Sequence, residues 1–186
     1  MARLLFTSKA FGSFDLINGD SAKSSLINLL SIPKICYMKQ VHGNNIQITS
    51  GDSSELAEVD GLVTNQKFIA LAVQVADCLP LLLQSDIAIA AVHVGRKGLV
   101  NGVAIKAVAA MKELGATKIT GVVGPHICGN CYEVDQSLFN EITKVHPATK
   151  STNRKLNLFA GLADQISDIP LENLNICTLE NPNYFS

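Results

Sequence analysis

Charge is scarce in this sequence. Only 17% of its 186 residues are Asp, Glu, Lys or Arg, and the formal net charge is -1. That balance removes the electrostatic case for nucleic acid or an anionic membrane surface as partner. It also leaves fewer charges than a fully solvated surface carries, which favours a subunit interface and so a homo-oligomer. Long hydrophobic runs are missing as well. No stretch reaches the span of a transmembrane helix, and Met1-Ala2-Arg3-Leu4-Leu5-Phe6 turns polar too soon for a signal peptide. The five cysteines are odd in number and scattered, which argues against a disulfide framework and for a reducing, cytoplasmic setting. Repeats, low-complexity tracts and linkers are absent. What is abundant is apolar: 47% of residues are hydrophobic, enough to fill the core of one domain spanning 1–186.

Periodicity places strands and helices in alternation. Leu4 to Thr7 reads as a first strand, and residues 9–20 as a loop rich in Gly, Ser and Asn. Ser21 caps an expected helix to Leu30, whose stripe is Leu26, Leu29 and Leu30, and Pro33 ends it. Strands are expected over residues 34–40, 45–49, 69–75, 80–84, 87–93, 118–123 and 174–179, with a polar connection over 51–58. Val100, Val103, Ala104, Ala107, Val108, Met111 and Leu114 recur every three to four residues, predicting one helix from Leu99 that Gly115 stops. Two more helices are expected, from a cap at Asp135 to Val145 and from Leu156 to Ile166. The order shows no regular βαβ beat, so the fold class is mixed α/β in a single layered domain.

Three apolar runs end in residues that bind metals. Ile87 to His93 reads as a strand buried on both faces, and Gly95 and Gly98 follow it with a tight turn. Gln40-Val41-His42-Gly43 and Ala76-Asp77-Cys78-Leu79-Pro80 end similar runs. Strand ends on one sheet rim converge in space, and two imidazoles with one thiolate suit Zn²⁺. Three protein ligands leave a fourth position open, the catalytic rather than the structural pattern. A metal-free reading stands beside it, in which Cys78 is a nucleophile and His42 or His93 its base. Asp77 sits in apolar surroundings and needs a partner, either an imidazole or the backbone N–H groups of a turn. Cys128-Gly129-Asn130-Cys131, close to His126, has the spacing of a metal or redox pair. No second Cys-x-x-Cys completes it, so a glycine-rich turn is the expectation. His146, Cys36 and Cys177 are read as structural.

Five segments then stand in a telling order. They are Gln40-Val41-His42-Gly43, Asp60-Gly61-Leu62-Val63-Thr64, Ala76-Asp77-Cys78-Leu79-Pro80, His93-Val94-Gly95-Arg96-Lys97-Gly98, and Gly124-Pro125-His126-Ile127 leading to Cys131-Tyr132-Glu133-Val134. Together they resemble the motifs of the YfiH family, also called the laccase-domain or multicopper polyphenol oxidoreductase family, whose members include bacterial purine nucleoside phosphorylases. The resemblance implies an α-β-β-α sandwich with mixed sheets, and one zinc ion per chain held by His42, Cys78 and His93. It implies phosphorolysis of purine nucleosides such as adenosine, inosine and methylthioadenosine, with some adenosine deamination. On this carry-over His42, Cys78, His93 and Asp77 form the catalytic group. Lys9, Gln40, Arg96 and Lys97 face the nucleoside and phosphate. Several copper centres would need more than the single three-ligand set found, so copper oxidation is set aside.

Departures from the family pattern fall on anion-binding positions. Arg96-Lys97 stands where the family has Trp-Arg, and Thr7-Ser8-Lys9 where it has Thr-x-Arg; Lys lacks the bidentate fork of Arg. The sequence closes at Tyr184-Phe185-Ser186, where the family continues into an aromatic-Ser-Tyr-Arg-Arg tail. Two other functions therefore stay open: an amidohydrolase editing a peptidoglycan precursor, and a zinc-binding paralogue without catalysis.

Overall fold

A computed structural model describes residues 2–14, 20–52 and 56–186; the expected loop over 9–20 and connection over 51–58 lie partly outside them. Among the described residues, eight strands and five α-helices build one domain. The strands are β1 (Lys34–Cys36), β2 (Ile46–Ile48), β3 (Gly61–Thr64), β4 (Ile69–Leu71), β5 (Leu79–Gln84), β6 (Ile89–Val94), β7 (Thr120–Val123) and β8 (Leu171–Asn173). The helices are α1 (Asp20–Leu30), α2 (Arg96–Val100), α3 (Val103–Glu113), α4 (Gln136–Val145) and α5 (Leu158–Gln165).

Six strands form a mixed sheet in the order β2-β3-β6-β5-β7-β8, and β1 pairs with β4 in a second, two-stranded parallel sheet. At the centre β6 runs antiparallel to both neighbours, β3 and β5. Its sequence is apolar almost throughout because both faces are covered, and Ala90 to Val94 are all buried. Alternation assigns the faces. Val63, Leu81, Leu83, Ala90, Val92 and Val94 point into one core with α3 and α5, where Met111 and Leu162 are fully buried. Leu62 points the other way, into a smaller core with Met38 and Val59, against which Cys36 and Leu71 of the two-stranded sheet pack. The order is thus helix layer, large sheet, small sheet, and α1 comes near Tyr37 just after the small sheet's β1, with Lys23 Nζ 5.7 Å from that ring. The layered sandwich with a mixed sheet that the family resemblance implies is the fold observed.

The elements differ from the sequence reading in several places: Gly61–Thr64 is a strand not expected there, and Ser21 lies inside α1 rather than capping it. The long helix expected from Leu99 is two helices, because Gly102 takes a left-handed conformation (φ 72°) between them. The last strand is Leu171–Asn173 rather than residues 174–179. Asn175 turns left-handed (φ 55°) and its N–H donates to Asn173 Oδ1, a side-chain turn that ends the ladder and leaves Cys177 in a single bridge to His126. Leu4 to Thr7 joins no sheet. Of the helix caps, Asp135 is as expected, its Oδ1 accepting from Leu138 N–H at 2.9 Å. No helix among the described residues is long and apolar enough to cross a membrane.

Candidate metal centre

The C-terminal end of β6 organises the site. Because β6 is antiparallel to both neighbours, its last residues lie beside the first residues of β3 and β5: Val92 opposite Gly61, and His93 opposite Pro80. Asp60 and Cys78 stand just before those two strand starts, so the topology alone brings them to His93. On β6, His93 alternates with Val92 and Val94 and so faces away from the helix layer. His42 arrives from the loop between β1 and β2. Its φ of 58° is left-handed, and the turn there is held by hydrogen bonds rather than by a glycine at that position.

Those hydrogen bonds come from Asp60. Its carboxylate is fully buried and accepts from the backbone N–H of His42 at 2.9 Å, Gly43 at 2.7 Å and Val41 at 3.4 Å. The same carboxylate meets His93 Nδ1 at 2.8 Å, and its carbonyl accepts the His93 N–H, also at 2.8 Å. One buried acid thus shapes the loop carrying one histidine and fixes the ring of the other. With Nδ1 engaged, His93 is left with Nε2 to offer. The carboxylate–imidazole pair is how metal-binding histidines are oriented and made more basic.

Donor atoms of His42, Cys78 and His93 all lie within 4.8 Å of one another. The two imidazoles meet edge to face, with centroids 4.6 Å apart. Gly95 roofs the group: a Cβ there would stand 3.1 Å from Cys78 Sγ, 3.3 Å from His42 Cδ2 and 3.7 Å from His93 Cε1. Only a residue without a side chain leaves that space open. His93 is buried, Cys78 half-buried and His42 exposed, so the cluster is closed from inside and open on the His42 side. Two nitrogens and one sulfur fit a borderline-soft divalent ion with a vacant fourth position.

The electrostatics favour that reading over a free thiolate. Burial, with a smaller part from the His42 charge, pulls the His93 pKa down against the opposing Asp60 bond, so the ring is neutral and able to ligate. Burial first, and then the negative charges of Asp77 and Asp60, push the Cys78 thiol up. A nucleophilic cysteine needs the opposite surroundings; a cation among these three donors would supply the missing charge.

The other expected site residues are placed as follows. Asp77, left-handed at φ 75°, accepts from Thr178 Oγ1 at 2.7 Å, and its carbonyl accepts from Ile127 N–H at 2.9 Å. The acid beside an imidazole is Asp60 instead. Gln40 spends its amide on the backbone of Gln74, donating to the carbonyl at 2.7 Å and accepting from the N–H at 2.8 Å. Arg96 and Lys97 open α2 immediately after the Gly95 roof, half-buried and exposed respectively. Lys9 stands beside the C-terminal residues, its N–H donating to Asn183 O and its ammonium 5.4 Å from the Phe185 ring. Sequence reasoning missed Asp60 as a site residue. Its place at the head of the segment 60–64 was visible, but its role was not, because only the pairing of β3 with β6 sets it against His93.

Known proteins share the sequence and the fold of this chain. Residues 20–186 match the family described as multi-copper polyphenol oxidoreductase laccase. A Streptomyces griseus protein named purine nucleoside phosphorylase is 36% identical over 166 residues, 82% of this chain and 68% of its own length. A Corynebacterium glutamicum protein of the same name is 36% identical over 171 residues, 84% of this chain and 70% of its own length. The fold is shared with a solved Neisseria meningitidis protein (TM-score 0.79, 23% identity, 92% of this chain and 76% of that one). It is shared also with YlmD of Geobacillus stearothermophilus (TM-score 0.76, 23% identity, 92% and 75%). Motifs, fold and relatives converge, and the chain belongs to the multi-copper polyphenol oxidoreductase laccase family.

Proposed function

We propose that this protein is a zinc-dependent purine nucleoside phosphorylase, acting on nucleosides such as adenosine, inosine and methylthioadenosine. The observation that carries the reading is the convergence of His42, Cys78 and His93 around one open position, with Asp60 behind them. The relatives' name supplies the reaction class. The five cysteines stand as free thiols, which supports a reducing cytoplasmic setting.

When bound, zinc supplies a Lewis-acidic centre at the exposed side of the triad. The chain's residues do the rest. Asp60 holds His93 in one ring orientation and sets the His42 loop, and Gly95 keeps the approach free of a side chain. Arg96 and Lys97, next along the chain, bring positive charge to an incoming phosphate, and Lys9 adds to it from the N-terminal segment. Asp77 and Gln40 act as positioning residues, the first bracing the turn before Cys78 and the second the segment before His42. In phosphorolysis a phosphate oxygen bonds to the anomeric carbon of the ribose while the bond to the purine nitrogen breaks. The departing base takes up a proton.

The test pairs metal content with turnover. Wild-type protein should contain zinc and release ribose 1-phosphate from adenosine and inosine only when phosphate is present. His93→Ala should lose the zinc of this site and the activity together. Zinc without turnover on any nucleoside would reduce the protein to a metal-binding relative. Turnover that survives removal of all zinc would return Cys78 to the role of nucleophile. Ammonia release from adenosine, followed in the same reactions, separates deamination from phosphorolysis.

A further inference from the structure

A second group of soft ligands lies away from the triad. Sequence spacing hid it, because its halves are 46 residues apart and only one of them is a Cys-x-x-Cys. The first half is Cys128-Gly129-Asn130-Cys131 and the second is Cys177-Thr178-Leu179-Glu180: two chelating pairs with identical i, i+3 spacing. The single bridge between His126 and Cys177 brings them together, with His126 N–H donating to Ile176 O at 3.0 Å and Thr178 N–H to His126 O at 3.1 Å. The three sulfurs and a Glu180 carboxylate oxygen all lie within 4.8 Å of one another.

We infer that Cys128, Cys131, Cys177 and Glu180 form a second, structural zinc site. The backbone is already shaped for it. Each pair sits on a tight turn: Cys131 N–H donates to Cys128 O at 3.0 Å, and Asn181 N–H to Cys177 O at 3.0 Å. The Cys128 N–H points at Cys177 Sγ from 3.4 Å, a backbone donor that favours negative charge on that sulfur. Cys131 Sγ and Glu180 Oε1 are 3.4 Å apart across the group. Three thiolates and a carboxylate complete a tetrahedron with no position left for water, so this site is closed where the triad is open. Its exposed member is Glu180, which marks the side from which an ion enters. A disulfide would use two of the three sulfurs and leave the third thiol and the carboxylate without a role.

The site also explains how the rim is braced. Both segments that it joins reach Asp77: Ile127 N–H donates to its carbonyl and Thr178 Oγ1 to its carboxylate. Asp77 precedes Cys78, so an ion at the second site stiffens the turn that presents a ligand to the first.

Metal analysis of the purified full chain tests this. Wild type should carry about two zinc ions per chain, one for each group. Cys78→Ala should lose the triad ion and keep the other, whereas Cys128→Ser with Cys131→Ser should do the reverse. Cobalt substitution identifies the survivor, because sulfur-to-cobalt absorption grows with the number of thiolates: three in Cys78→Ala and one in the double variant. If the double variant fails to fold, Glu180→Gln, at an exposed position, should weaken retention of the second ion only. On unaltered protein, chelation should expose Cys128, Cys131 and Cys177 to a thiol reagent. One zinc per chain that vanishes in Cys78→Ala, or a native disulfide between Cys128 and Cys131, overturns the inference. Neither result touches the proposed phosphorylase activity, which rests on the other group.

Discussion

Asp60 carries more of the site than any ligand does. A buried carboxylate without partners would be strongly disfavoured, and this one is stabilised by three backbone N–H groups and an imidazole. Asp60→Asn keeps the size but replaces one acceptor oxygen with an N–H₂ that faces other donors. We expect zinc affinity at the triad to fall by about 10–100-fold, read by competition with a chromophoric chelator. Asp77→Asn, whose amide oxygen still accepts from Thr178 Oγ1, should change it much less. Equal effects from the two would contradict the assignment. The candidate ligands were legible in the sequence, since His42, Cys78 and His93 each end an apolar run. Asp60 was not, because a lone acid before a strand has no pattern until the strand pairing puts it against His93. Glu180 was illegible for a related reason: an acid in place of the fourth cysteine hides a chelating pair.

At the scale of elements, the apolar runs at 80–84, 87–93 and 118–123 were readable because they are buried on both faces or along one. What periodicity could not show was which strands neighbour which. The order β3-β6-β5 is what delivers Asp60, His93 and Cys78 to one rim. Nor could it show the break in the long helix, since the apolar repeat continues across Gly102 while the backbone does not. A Cβ at Gly102 meets nothing closer than 3.5 Å, so substitution there is opposed by conformation alone. Gly102→Ala should lower stability by about 1–2 kcal/mol, the cost of a left-handed residue with a side chain. Zinc content should stay unchanged. Gly95→Ala should do the opposite. Its φ of -78° suits alanine, but the new methyl crowds Cys78 and both imidazoles, so metal is lost with little change in the urea midpoint of the zinc-free protein. Metal loss in Gly102→Ala would show that the α2–α3 break positions the site rather than only the helices.

For the whole molecule, ions at the two candidate groups would act as cross-links between distant parts of the chain. The triad ties residues 42, 78 and 93, and the second group ties 128–131 to 177–180. An ion that binds the folded chain and not the unfolded one adds stability as the logarithm of its free concentration, so each saturated site contributes about 1.4 kcal/mol per tenfold rise in free zinc. The slope of unfolding free energy against the logarithm of buffered free zinc therefore counts the sites. With both groups binding, wild type should rise by about 2.8 kcal/mol per decade once both are saturated. Cys78→Ala and the Cys128→Ser, Cys131→Ser double variant should each rise by about half that. In excess chelator the wild-type advantage from metal should vanish, leaving a fold held by its two apolar cores. A wild-type slope of about 1.4 kcal/mol per decade that the double variant preserves would leave the triad as the single site. A slope near zero in every variant would mean that neither group binds zinc in the folded chain.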